Sequence, residues 1–486
     1  MNLAQQKQWA LDALDTRAPQ LAALGDAIWD RPETSFEEHF AARTLAAVLE
    51  EAGFALTWGL GGMETAFSAT FGTGGPAIGI LGEYDALSGM SQRAGALVPE
   101  PLVPGGPGHG CGHNLLGVGS LGAALAVKEY LAATGAPGRV VYFGCPGEEA
   151  GAGKAFMARD GAFDNLDCAL CWHPGELNAA TPARCLANCE VLYRFTGRSS
   201  HAASAPHLGR SALDAVTLLN TGVQFLREHI LPEARVHYAV TDTGGYSPNV
   251  VQAYAEALYL IRAPRRSQVE EIRARVDDVA RGAALMTGTQ VECQFVKACS
   301  ELIPNHTLAG VMGENLAAIP LPLYSEEELA LAAAYRDTLP ESGGTLAAVA
   351  GQLGPAGKAL AEAHRAEPIH SFVVPAVGGE AFLSSSTDVG DVSWICPTAQ
   401  IMAATMAAGT PGHSWQRTAQ GKSGVAHKGT LYAAKVLAAS AIDLLQRPDL
   451  LRAAGEEHRA QLAGRQYLPI PPEARPIAVR GAQSES

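Results

Sequence analysis

Basic residues are the scarcer charge in this sequence: 35 Lys and Arg stand against 49 Asp and Glu, a formal net charge of −14. A surface that binds nucleic acid or anionic lipid concentrates Lys and Arg to neutralise phosphates, so this balance argues against both partners. Cysteine is also sparse, with nine in 486 residues. An odd number at that density excludes a disulfide-stapled scaffold and reads mostly as reduced thiols in a core. Charged residues make up only 17% against 47% hydrophobic, the reverse of what keeps a chain disordered. No apolar run approaches the ~20 residues that span a bilayer. Met1–Lys7 lacks the basic-then-apolar layout of a secretory leader. There is no repeat of the ~20–50-residue kind that marks a solenoid. The expectation is a soluble, cytoplasmic protein of two or more domains, at ~100–200 residues per domain.

What is present is α/β patterning. Leu11, Leu14, Leu21 and Leu24 form one helical stripe and Phe40, Leu45, Leu49 and Phe54 a second, with Pro32 between them. Ser35 with Glu38 three residues on reads as a capping box opening the second helix. Short apolar runs at 65–71, 77–81, 139–143 and 167–172 read as strands, and 115–130 and 155–159 as helices. That alternation predicts a mixed or parallel sheet covered by helices. From about Ala187 the order becomes strand (190–195), helix (211–229), strand (253–262), helix (269–285), strand (289–296), which predicts a separate α+β domain inserted in the first. The expected boundaries are 1–188, 189–305 and 306–486. A long helix closes the pattern at 427–445, and the tail from Pro469 is expected to be loose.

The strongest chemical signal is Gly108-His109-Gly110-Cys111-Gly112-His113-Asn114. Two residues apart in an extended glycine loop, Cys111 and His113 can face the same way, and thiolate with imidazole suits zinc, or manganese if oxygen ligands join. Asn114 reads as the N-cap of the next helix. Glu148-Glu149 follows an apolar strand in a glycine loop, where one carboxylate can bind metal and the other handle protons. His173 and His413 each follow an apolar run, and Glu83-Tyr84-Asp85 follows another. Open α/β sheets gather ligands at the C-terminal ends of their strands. Cys168 and Cys171 also make a Cys-x-x-Cys, but within a strand they point to opposite faces and cannot share a metal.

These stretches, together with Leu81–Leu87, Ser204–Val216, Ser247–Gln252, Ser386–Trp394 and His427-Lys428-Gly429, resemble the M20 metallopeptidase family in its amidohydrolase branch with a Cys-x-His motif. The resemblance implies a metallopeptidase-type α/β catalytic domain with a central mixed sheet flanked by helices, and an inserted α+β lid and dimerisation domain. It implies two divalent ions, Mn2+ or Zn2+, on Cys111, His113, Glu149, His173 and His413, with Glu148 as general base. Asp85 would orient the site. Glu83 stands where the broader family has a ligand histidine. His201 would reach a neighbouring protomer's active site, while Asn249 and Arg262 would hold a substrate carboxylate. His207 and His427 carry family sequence and read as structural.

The implied activity is amide hydrolysis of an N-acyl amino acid, foremost p-aminobenzoyl-glutamate, by a homodimer or a heterodimer with a paralogous chain. Alternatives are a dipeptidase or another N-acyl-amino-acid hydrolase, a non-catalytic member of a heteromeric hydrolase, and a cysteine hydrolase using Cys111 and His113. The last predicts activity that resists EDTA.

Overall fold

The two N-terminal stripes build helices Leu3–Asp30 and His39–Glu51, in a computed structural model that describes residues 3–339, 346, 351, 354–375 and 380–477. The capping box expected from Ser35 and Glu38 does not form. Glu33 takes the helix start instead, its carboxylate accepting the N–H of Phe40 at 2.9 Å and of Ala41 at 3.0 Å, as a helix N-terminus favours. Ser35 and Glu38 are buried and engaged elsewhere. Tertiary partners outcompete the local motif here.

Among the described residues six strands make the larger sheet, in the spatial order Ala55–Trp58, Phe67–Thr73, Gly138–Cys145, Ala77–Glu83, Cys168–Gly175, Thr398–Ala404. The last four run parallel and the first two pair antiparallel, so the sheet is mixed, as expected. Every residue of Ala77–Glu83 is buried, the mark of a parallel strand covered on both faces. Leu3–Asp30, His113–Thr134 and Gly424–Gln446 contribute to the same apolar core. His113–Thr134 is long and apolar enough, by length and composition, to cross a membrane, contrary to the expectation from the sequence. Of its most apolar window 83% is buried, and the Trp172 indole donates to its Leu116 carbonyl at 3.0 Å. Its apolarity serves the core, and Gly and Ser dilute the leucine run in the sequence.

By contact the chain divides into two units. One comprises Met1–Arg184, Ile303–Phe382 and Val392–Gln466; the other comprises Cys185–Leu302, Leu383–Asp391 and the stretch from Tyr467. This differs from the reading of 306–486 as one continuous part of the catalytic domain. In the smaller unit Asp391 accepts from the N–H and hydroxyl of Ser300 and from Tyr467 Oη, which holds these distant segments together. The unit is a four-stranded antiparallel sheet ordered Gln290–Cys299, Ala187–Thr196, Tyr254–Ala263, Arg235–Asp242, packed with helices Ala212–Leu226 and Arg266–Thr287. Arg235–Asp242, an edge strand, escapes the sequence reading because most of its residues are exposed and leave little pattern. The tail is not loose as far as residue 477, since Ile470 and Ala474 are buried; the remainder lies outside the described residues.

Candidate metal centre

Four parallel strands deliver polar residues at one edge of the larger sheet. Ala77–Glu83 ends in Glu83 and leads to Asp85; Gly138–Cys145 leads to Glu148 and Glu149. His173 lies near the end of Cys168–Gly175, in register with Met402 of the neighbouring strand, whose following turn carries His413. Cys111 and His113 open the core helix. Gly112, not Asn114, occupies the N-cap, and the Asn114 amide donates instead to the carbonyls of Gly25 and Gly421.

The five expected ligand residues converge. Cys111, His113 and His173 form one triad and Cys111, Glu149 and His413 another, the ligand atoms in each within 4.8 Å of one another. Cys111 Sγ lies 3.6 Å from His173 Nε2, and His413 Nε2 lies 3.4 Å from Glu149 Oε1. Such spacings suit atoms that share an ion at ~2.0–2.3 Å. Glu148 groups with Glu83 and with His113, which also belongs to the first triad. The two adjacent carboxylates therefore fall in different groups, both of them near His113, with Glu149 Oε1 4.0 Å from its Nε2.

Hydrogen bonds aim these rings. His113 Nδ1 is 2.8 Å from Asp85 Oδ1, and His173 Nδ1 is 2.8 Å from the Pro174 carbonyl. Each ring thus presents Nε2 to the centre, the arrangement usual for metal-ligating histidine. His113 Nε2 is buried and makes no hydrogen bond of good geometry, while Glu83 Oε2 at 3.3 Å and Glu149 Oε1 at 4.0 Å crowd around it, an arrangement that a cation between them would satisfy. His413 holds a left-handed backbone at φ 52°, and its N–H donates to Gly110 at 3.2 Å. Phe36 and Ala152, also non-glycine residues with positive φ, lie beside the loop of Glu148 and Glu149, the Phe36 ring against Gly147 and Gly151 and Ala152 directly after them. Strain of this kind persists where the surroundings fix it, often at functional sites.

The charged groups of the site act on one another. Burial opposes ionisation of Cys111, but Arg417, His113 and His173 hold its thiol well below its ordinary range. Burial likewise opposes charge on His113, yet Cys111 and Asp85 push its pKa well up. His413 is raised to about 10 by hydrogen bonds to Cys111 and Glu149, and burial with the Cys111 charge raises Glu149. Thiolate and carboxylate draw protons onto the imidazoles. A divalent cation meets the same demand, and a sulfur, nitrogen and oxygen donor set fits zinc or manganese.

Three residues not anticipated from the sequence support the centre. Arg417 Nη2 donates to the carbonyls of Cys111 at 2.6 Å and Pro174 at 2.7 Å, tying the Cys111 loop to the end of the His173 strand. Glu176 accepts the N–H of Gly409 at the start of the His413 turn. Lys154, fully buried, sits 2.6 Å from Glu83 Oε1, whose other oxygen is 3.3 Å from His113 Nε2. Only their positions near the motifs could have pointed to them.

The remaining expected residues are placed as follows. In the smaller unit, the N–H groups of Ala203 and Ser204 both donate to His201 Nδ1 at 3.2 Å, so the neutral ring carries its proton on Nε2. Asn249 is next to it, its carbonyl accepting the Ala202 N–H at 2.9 Å. Arg262 donates to Ser386 Oγ at 2.7 Å. His207 is exposed in a short 3-10 turn. In the larger unit, His427 Nε2 pairs with Asp26 at 2.8 Å, a structural contact.

Comparison with known proteins follows the same lines. Residues 186–285 match the peptidase dimerisation domain of the M20 family. The chain is 48% identical over 472 residues to a component chain of p-aminobenzoyl-glutamate hydrolase from Escherichia coli (strain K12), covering 96% of this chain and 98% of that protein. It is 31% identical to Xaa-Arg dipeptidase of Mus musculus, covering 95% and 94%. A solved Bacillus subtilis structure, described as a dinuclear metal binding peptidase, superposes with a TM-score of 0.53 at 17% identity, covering 89% of this chain and 99% of that one. That likeness is one of fold.

Proposed function

Because this chain belongs to the M20 family of metallopeptidases and amidohydrolases and is a hydrolase, we propose that it cleaves p-aminobenzoyl-glutamate to p-aminobenzoate and glutamate by metal-dependent amide hydrolysis. The observation that carries the reading is the pair of triads sharing Cys111, with Glu148 in an adjoining group through His113. The Escherichia coli relative, which has that activity in its name, supports the substrate.

Cys111, His113 and His173 would hold one divalent ion and Cys111, Glu149 and His413 the other. Such ions, Mn2+ or Zn2+, supply Lewis acidity that lowers the pKa of water toward ~7 and polarises the scissile carbonyl. Glu148 takes the proton of the attacking water and returns it to the leaving amine, which lets one carboxylate serve both steps. Asp85 holds the His113 ring and, by accepting the Glu149 N–H at 2.9 Å, the adjacent loop. His201 donates its Nε2 proton to the oxyanion of the tetrahedral intermediate; in this proposal it belongs to a second protomer. Arg262 and Asn249 hold a substrate carboxylate, a task to which the planar guanidinium fork is suited. The dimerisation-domain match and the relative's designation as one component of a hydrolase support a dimer, with a second copy or with a paralogous chain.

The test is a substrate panel. Mn- or Zn-loaded protein is incubated with p-aminobenzoyl-glutamate, β-alanyl-lysine and indoleacetyl amino acids, and the amine and amino acid released are measured. p-Aminobenzoyl-glutamate should give the highest kcat/KM. A dipeptide or other acyl amino acid winning by more than about tenfold, ~1.4 kcal/mol of transition-state preference, would overturn the substrate and leave metal-dependent hydrolysis standing.

A further inference from the structure

The segment Glu33–Glu38 takes no part in the chemistry above, yet it grips both acidic loops. The Glu33 carbonyl accepts the N–H of Ala86 at 2.8 Å. Ser35 Oγ donates to Asp85 Oδ2 at 3.3 Å and accepts the Ala150 N–H at 3.2 Å. Glu38 Oε1 accepts the Gly147 N–H at 2.9 Å, and its Oε2 accepts from Thr65 Oγ1 at 3.1 Å. Between Ser35 and Glu38, Phe36 stands at φ 69°, a conformation that glycine adopts freely and a bulky side chain resists.

The Phe36 ring explains that conformation. A Cβ added at Gly147 would come within 2.6 Å of the ring, and one at Gly151 would come closer still. No side chain fits at either position while the ring is in place. The loop also closes on itself, the Gly151 N–H donating to the Gly147 carbonyl at 2.8 Å, and Phe156 meets the ring edge-on at 6.3 Å between centroids. The two glycines that bracket Glu148-Glu149-Ala150 are therefore the walls of a seat for one aromatic ring. A residue kept against its backbone preference at this place points to a use for the ring.

We propose that Phe36, assisted by Ser35 and Glu38, is a positioning residue that clamps the loop Gly147–Gly151 and so fixes the direction in which Glu148 exchanges its proton. The inference rests on the reading of Glu148 as the proton carrier. Phe36 acts through that residue and touches no reacting atom.

Phe36→Gly tests it, because glycine accepts φ 69° and the change removes the ring without straining the turn. In the metal-loaded protein, amide hydrogen exchange at Gly147, Glu149 and Ala150 should accelerate by about tenfold or more while strand Gly138–Cys145 is unchanged. kcat should fall by about tenfold or more with KM within about threefold, and Phe36→Leu should recover much of the loss. In a Glu148→Gln background, Phe36→Gly should add no further loss, since the two changes remove one function. Unchanged exchange in the loop, or a wild-type kcat, would overturn the proposal. So would an equal proportional loss in both backgrounds, which would mark a general structural role. Near-wild-type turnover of Glu148→Gln alone would remove the proton reading, and the exchange data would still decide whether the clamp exists. If Phe36→Gly fails to fold, Ser35→Ala, which deletes a single hydroxyl, is judged by the same readouts.

Discussion

Asp85 Oδ1 lies 2.8 Å from Nδ1 of His113, and both side chains are fully buried. The carboxylate fixes the ring's tautomer and commits its other nitrogen to the centre. Asp85→Asn should therefore keep the fold and weaken metal binding by about 10–100-fold, the usual cost of losing such a partner. Competition against a chelating dye measures it, and unchanged affinity would refute the orienting role.

Glu148 and Glu149 are neighbours in sequence that belong to different groups in space. Under the proposed mechanism, in which Glu148 serves two proton transfers, Glu148→Gln should retain metal and fold while losing turnover by ~10²–10⁴ or more. Glu149→Gln should lose metal as well. A Glu148→Gln protein turning over near the wild-type rate would show the assignment to be wrong.

His201 offers an Nε2–H donor set by two backbone N–H groups on Nδ1. If it serves a neighbouring protomer, an inactive Glu148 variant and an inactive His201 variant should recover part of the activity when refolded together. The recovered fraction should follow the fraction of mixed dimers. No recovery despite verified mixed dimers counts against action between protomers.

Asp391 gives a pH dependence of stability unrelated to catalysis. Burial pushes its pKa from 3.8 up to about 6, despite donors from Ser300 and Tyr467. The folded state therefore holds this proton more tightly than the unfolded state. Its contribution is complete below pH ~4 and is lost as the pH rises through about 6, on the order of 3 kcal/mol. Asp391→Asn should gain stability relative to the wild type between pH ~4.5 and ~7 in urea unfolding. A difference that does not vary with pH contradicts this account.

Much of the larger unit was legible because its strands are short buried runs ending in glycine loops. Such a strand leaves an apolar block in the sequence, and its C-terminal end is where chemistry collects. Glu148, Glu149 and His173 stand out for that reason, whereas Cys111 and His113 stand out through their spacing in a glycine loop that opens a helix. Arg417 did not, because its partners Cys111 and Pro174 are 306 and 243 residues away. Lys154 was equally hidden, since a lysine reads as exposed unless a distant partner such as Glu83 is known to meet it. Ser35 and Glu38 mislead for the opposite reason: their spacing matches a local motif, but segments distant in sequence claim both side chains. The edge strand Arg235–Asp242 was missed because little of it is buried, so no hydrophobic alternation records it.

Cys111 belongs to both triads, and if it serves two ions on which hydrolysis depends, metal analysis of the wild type beside Cys111→Ala will show it. After loading with Mn2+ or Zn2+ and removal of excess, the wild type should carry about two ions per chain and lose hydrolysis on exhaustive EDTA treatment. Cys111→Ala should lose both the ions and the activity while remaining folded. A Cys111→Ala protein that keeps two ions, or wild-type hydrolysis that survives complete metal removal, would contradict the account.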